Sequence, residues 1–116
     1  PTKHQLKADL ESLFAKAKTY YMQRPSMTGQ ELYQWVCQQS QELDWIYGND
    51  HCGHLIGVFP HERRLGERSE NYICSDNGIP MNTPDCHGDV RHWILEIHLV
   101  NESKEWGGFY EDLLTL

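Results

Sequence analysis

The chain predicts an α+β fold: two amphipathic helices at the N-terminal end, then short β-prone runs ending in a hairpin. Three observations carry this. Leu6, Leu10, Leu13, Phe14, Ala17 and Tyr21 form an i, i+4, i+7 stripe over residues 3–24, closed by the Arg24-Pro25 pair. Thr28-Gly29-Gln30-Glu31 carries the S/T-x-x-E capping signature. The run HWILEIHLV, residues 92–100, alternates between two faces as a strand must. At 116 residues the chain fits one domain, 1–116, with a single modest core.

In the second helix, placed at about 28–43, Met27 and Leu32 occupy hydrophobic-staple positions. Its apolar face continues through Trp35, Val36, Gln39 and Leu43. Beyond it the texture changes to Trp45–Tyr47, Leu55–Phe59 and Tyr72–Cys74, separated by Gly, Asn, Asp and Pro, which reads as short strands and turns. Residues 75–89 are mostly turn-formers and read as an ordered loop with a short strand at its start. In the following strand Trp93, Leu95, Ile97 and Leu99 make a wholly apolar face, while His92, Ile94, Glu96 and His98 make the other. Residues 101–107 read as a turn into GGFYEDLLTL, a strand with Glu111 near its centre. The two strands pair as an antiparallel hairpin presenting two inward carboxylates.

The balance of 10 Lys+Arg against 17 Asp+Glu gives a net charge of −7, which opposes binding to a phosphate backbone. The basic cluster Arg63, Arg64 and Arg68 is interleaved with acids, so nucleic acid is not an expected partner. No apolar run has the length of a membrane span and no signal pattern opens the chain, so a soluble cytoplasmic protein is expected. Cys37, Cys52, Cys74 and Cys86 form no C-x-x-C pair and are read as reduced thiols. Cys52 reads as a small buried side chain rather than a nucleophile, because nothing near it signals activation. A structural zinc on Cys52, Cys74, Cys86 and His87 is a minor alternative whose spacings match no standard ligand pattern.

The chemistry concentrates in HCGHLIGVFPHE, residues 51–62, and in the hairpin. A carboxylate at the middle of a strand is costly to bury unless it is paired or bound to a metal. A lone histidine such as His54 in an apolar run is more often a hydrogen-bonded core residue than a ligand. One histidine and two strand-centred glutamates together, His54, Glu96 and Glu111, make an N/O set suited to divalent manganese, iron, cobalt or zinc. There is no H-E-x-x-H, which excludes the helix-borne zinc protease arrangement. His61 and Glu62 follow Pro60 at an expected bend. His87, His92 and His98 are surface histidines or partners that orient the carboxylates, and His98 is the better candidate because it shares a face with Glu96.

At these residues the chain resembles the pita-bread metallopeptidases, the family of methionine aminopeptidase, aminopeptidase P, prolidase and creatinase. GHLIGVFPHE resembles the family's G-H-x-x-G-x-x-x-H-E segment, including the seven-residue spacing of His54 and His61. WILEIHL and GGFYEDLLTL resemble, in order, the two strands that supply its last carboxylates. The resemblance covers about residues 10–116 and the C-terminal half of the family's catalytic domain. It implies two helices backing a curved, mainly antiparallel sheet with the ligands on its concave face. It implies a divalent metal pair (Mn, Co, Fe or Zn), with His54 as a ligand, Glu96 as a ligand that also shuttles a proton, and Glu111 as the bridging carboxylate. His61 would contact the substrate carbonyl or tetrahedral intermediate, and His98 falls among the substrate-facing residues. The implied reaction is hydrolysis of an N-terminal peptide bond in a peptide substrate, with the Xaa-Pro-cleaving branch favoured.

The family's two aspartate ligands lie on an earlier hairpin, and the upstream aspartates here, Asp9, Asp44 and Asp50, match neither. With Pro1 in place of an initiating Met, the expectation is a C-terminal fragment of a longer enzyme, weakly active or inactive alone. Such a half should self-associate or pair with the missing N-terminal half through exposed sheet edge. The rival reading is a non-catalytic module that keeps the fold to bind peptide or protein.

Overall fold

The computed structural model describes residues 2–57 and 69–116. Helix α1 spans Lys3–Gln23 and helix α2 spans Gly29–Glu42. Five strands follow: β1 (Ile46–Tyr47), β2 (His51–Leu55), β3 (Tyr72–Cys74), β4 (Trp93–Val100) and β5 (Gly107–Leu113). All strand pairs are antiparallel. The architecture is α+β, with the two helices packed on one open sheet. No helix among the described residues is long and apolar enough to cross a membrane.

Each helix begins where its capping chemistry places it. The Thr2 hydroxyl accepts from the Gln5 amide at 3.1 Å, and Thr28 and Glu31 close a reciprocal capping box at the start of α2. Met27 and Leu32, the staple pair, are both fully buried. The α1 stripe holds one residue the hydropathy pattern does not explain, buried Asp9. Its carboxylate accepts from the Trp45 indole N–H at 2.7 Å and from the Gln5 amide at 2.9 Å, joining α1 to the chain entering β1. A buried indole N–H left without an acceptor would cost about 1–3 kcal/mol, which accounts for an acid at this position.

Strand β4 organises the sheet. It pairs with β5 along one edge from Ile94↔Leu113 to Val100↔Gly107. Along the other edge its C-terminal end pairs with β1 and its N-terminal end with β2. Trp93, Leu95, Ile97 and Leu99 are buried against the helices in the main core. On β5, Tyr110 meets Phe14 of α1 edge to face at 5.0 Å. The face of Ile94, Glu96 and His98 points away from the helices.

Two expectations need correction. The strand expected at Leu55–Phe59 lies upstream, at His51–Leu55; Ile56 and Gly57 form a turn, and residues 58 and 59 fall outside the described set. Pairing with β4 and β3 decides this, and it requires Gly53. There φ is +152°, and a Cβ would lie 2.1 Å from the Ile94 carbonyl oxygen. Glu111 shares the face of Glu96 as expected but is exposed, lying on the last strand on its side of the sheet with no described layer over it.

Residues 75–89 form the expected loop, without the short strand expected at its start, and they are anchored. The amide of buried Asn77 donates to the Tyr72 carbonyl at 2.9 Å while its backbone carbonyl accepts from Gln30 at 2.8 Å. Met81 donates its amide to the Met27 carbonyl and accepts the Trp93 indole N–H, closing the loop over the core.

Candidate metal centre

Three strands deliver the site. In β2, His54 sits opposite Ile94 of β4 and therefore shares a face with Glu96 two residues along. Glu111 of β5 sits directly opposite Glu96. One ligand atom from each of His54, Glu96 and Glu111 lies within 4.8 Å of the others. His54 and Glu96 are buried and Glu111 is exposed.

The hydrogen bonds fix which atoms are available. His54 Nδ1 is 2.9 Å from the Leu55 carbonyl oxygen, an acceptor only, so Nδ1 carries the proton. In a neutral ring this leaves a bare lone pair on Nε2, which lies 3.2 Å from Glu96 Oε2. Oε2 is itself buried and makes no well-formed hydrogen bond among the described residues. Two acceptors facing each other at that distance require a positive species, either a proton on Nε2 or a cation. The donor set fits a divalent ion. A histidine whose other nitrogen donates to a backbone carbonyl is the usual arrangement of a metal-ligating imidazole.

The second oxygen of Glu96 is already engaged: His98 Nε2 donates to Oε1 at 2.8 Å. Burial alone would push the Glu96 carboxyl up, but His54 and His98 outweigh it and bring its pKa down to about 2. At His54 burial favours the neutral ring, and the contacts with Glu96 and the Leu55 carbonyl outweigh it, raising the pKa above its ordinary value. Each group holds the other charged when no metal intervenes.

Of the other expected residues, His61 and Glu62 lie outside the described residues. His92 Nδ1 lies 3.2 Å from the Thr115 hydroxyl, and His87 is exposed. Among the described residues neither contacts Glu96, whereas His54 and His98 both do and His51 adds a weaker electrostatic effect. Asp9 serves the Trp45 indole on the helix side of the sheet, and Asp44 and Asp50 do not join the ligand cluster. The described residues thus bring three candidate ligands together, a set that would suit one ion with open positions rather than a pair. The zinc alternative fails, because Cys52, Cys74, Cys86 and His87 do not converge among the described residues. Cys52 is fully buried and its pKa is pushed well up by desolvation, so it is an inert thiol.

Tyr47 is the contributor that sequence reasoning missed. Its hydroxyl donates to the Glu96 carbonyl at 2.6 Å and approaches the His51 carbonyl at 3.1 Å, tying β1, β2 and β4 together at the site. Its only signal in the sequence is an aromatic residue with a hydroxyl in a very short strand. Comparison of the chain with protein-family models, with curated proteins and with solved structures returns no match.

Proposed function

We propose that this chain carries the metal-binding part of a metal-dependent hydrolase of the pita-bread aminopeptidase type, acting on the N-terminal peptide bond of a peptide, with Xaa-Pro substrates favoured. The observation that supports it most is the opposed pair His54 Nε2 and Glu96 Oε2, 3.2 Å apart, with a Glu111 oxygen close by. A divalent ion bound there supplies Lewis-acid activation of water and of the scissile carbonyl.

The chain's own residues have distinct tasks. His54 offers a neutral nitrogen whose orientation is set by the Leu55 carbonyl. Glu96 stays anionic at neutral pH, which suits it to hold a cation. A proton accepted at Oε2 would be passed on readily, because the surrounding histidines, His54 and His98 foremost, disfavour the acid form. Glu111, exposed at the strand edge, faces incoming substrate and solvent. His61 is assigned to the substrate carbonyl in this reading, and His98 to the shell around the carboxylates. Three protein ligands leave coordination positions open, as catalytic metal sites require. The side of β5 that is unpaired among the described residues, with Phe109 61% exposed, is where a second copy or a further carboxylate-bearing segment would dock beside Glu111.

The test is metal stoichiometry after equilibration with Mn²⁺ or Co²⁺, for the wild-type chain and for Glu96→Gln, with hydrolysis of an Xaa-Pro peptide assayed in parallel. About one ion per wild-type chain and at least 100-fold weaker binding in the variant are expected. Equal binding by both would refute the site. Binding that needs Glu96, without hydrolysis in any assembly state, would favour the peptide-binding module.

A further inference from the structure

We propose that His98 is a positioning residue that fixes Glu96 as a one-oxygen metal ligand, by tying up Oε1 so that only Oε2 is presented beside His54. The proposal rests on the metal-centre reading and adds to it how the carboxylate is held.

The two Glu96 oxygens have different surroundings. Oε1 accepts from His98 Nε2 at 2.8 Å, whereas Oε2 lies 3.2 Å from His54 Nε2 and, among the described residues, makes no well-formed hydrogen bond. A free carboxylate can rotate and offer both oxygens to a cation, filling two coordination positions. One that is hydrogen-bonded through Oε1 keeps a single lone-pair direction for the ion and leaves a position for water or substrate.

The His98 ring is held in place for this. It stacks on Phe109, its cross-strand partner, with centroids 5.4 Å apart and planes 15° from parallel. Tyr47 meets it edge-on at 6.2 Å, and the Tyr47 hydroxyl donates at 2.6 Å to the backbone carbonyl of Glu96 itself. One tyrosine therefore steadies both the residue that is held and the residue that holds it. The pairs Glu96↔Glu111 and His98↔Phe109 are successive on one face of the β4–β5 hairpin, so an error in the ring's position would be felt at both carboxylates. The His98 side chain is 23% exposed, so filling the core does not account for its placement.

The experiment is Co²⁺ titration of the full chain, reading affinity and the visible absorption spectrum, in wild type and in His98→Gln, His98→Asn and His98→Phe. Glutamine can place a donor N–H near the position of Nε2. Asparagine is too short, and phenylalanine keeps the stacking ring but has no donor. His98→Gln should stay within about 3-fold of the wild-type affinity and keep its spectrum, whereas His98→Asn and His98→Phe should bind about 10–100-fold more weakly. In these two the Co²⁺ bands should also lose intensity as Glu96 takes up a second coordination position. A residue with a merely structural role would lower the melting temperature of the metal-free variants and leave the Co²⁺ spectrum unchanged. If His98→Phe does not fold, the Gln and Asn pair decides: equal affinity and identical spectra in those two overturn the proposal. If every variant binds as wild type does, the positioning role is wrong and the metal centre stands. If the wild-type chain binds no Co²⁺ at millimolar concentration, both fall.

Discussion

Glu96 and His54 shift each other's titration in opposite directions, and this sets a pH window for the metal-free protein. The Glu96 carboxyl falls from its ordinary 4.5 to about 2 on folding, so its stabilising contribution is present above about 4.5 and is lost as pH falls through about 2. His54 is raised above 6.5, so its contribution is complete below about 6.5 and is lost as pH rises through the raised value. Stability without metal should therefore peak between these limits, as urea midpoints measured across the acid-to-neutral range would reveal. A bound ion inverts the upper limb, because it competes with the proton for Nε2. Co²⁺ affinity should rise as pH increases through the raised His54 value, and a flat profile would remove His54 from the ligand set. Much of this scale was legible in the sequence. Strand alternation put His98 on the face of Glu96, and the order of motifs singled out His54 and Glu111. Asp9 was legible only as a helix residue, because its reason for burial, the Trp45 indole, is supplied by the fold from 36 positions away.

At the scale of elements, the helices were the most readable because their signals are local. The Thr28 and Glu31 box lies within one turn, and the structure contains it. Strand β2 was misplaced because its residues, His51 to Leu55, are half polar and include a glycine, while the more apolar run follows them. What makes His51–Leu55 a strand is tertiary: β4 on one side and β3 on the other satisfy its backbone, and a register irregularity between His51 and His54 adapts it to β3. Gly53 is the hinge of this arrangement. Gly53→Ala would drive a methyl into the Ile94 carbonyl and force a left-handed backbone on alanine. A loss of at least about 2 kcal/mol is expected in chemical denaturation, with metal affinity falling as His54 moves out of line. By contrast Gly57→Ala, where a Cβ meets nothing within 4 Å among the described residues, should carry chiefly the backbone cost of its φ of +95°.

For the whole molecule, a metal bound as proposed would be thermodynamically linked to the fold, since the three candidate ligands come from β2, β4 and β5 and meet only in the folded sheet. At a free Co²⁺ concentration 100 times the dissociation constant, unfolding should cost about 2.7 kcal/mol more than without metal. Glu96→Gln should abolish that increment, which thermal melts with and without Co²⁺ would measure. The α+β architecture was legible as a sum of helix and strand signals. The exposure of Glu111 was not, because alternation tells which face of a strand a residue occupies but not whether another layer covers it.

Strand β4 is hydrogen-bonded along both edges, whereas among the described residues β5 pairs along one edge alone. Backbone amides of β4 should thus exchange with deuterium only on global opening, while those of β5 exchange through fraying at a much smaller free-energy cost. Glu96 sits on the slow strand and Glu111 on the fast one. An ion held between them would leave by the peeling of β5 rather than by unfolding of the domain, and its residence time would follow the breathing of a single edge.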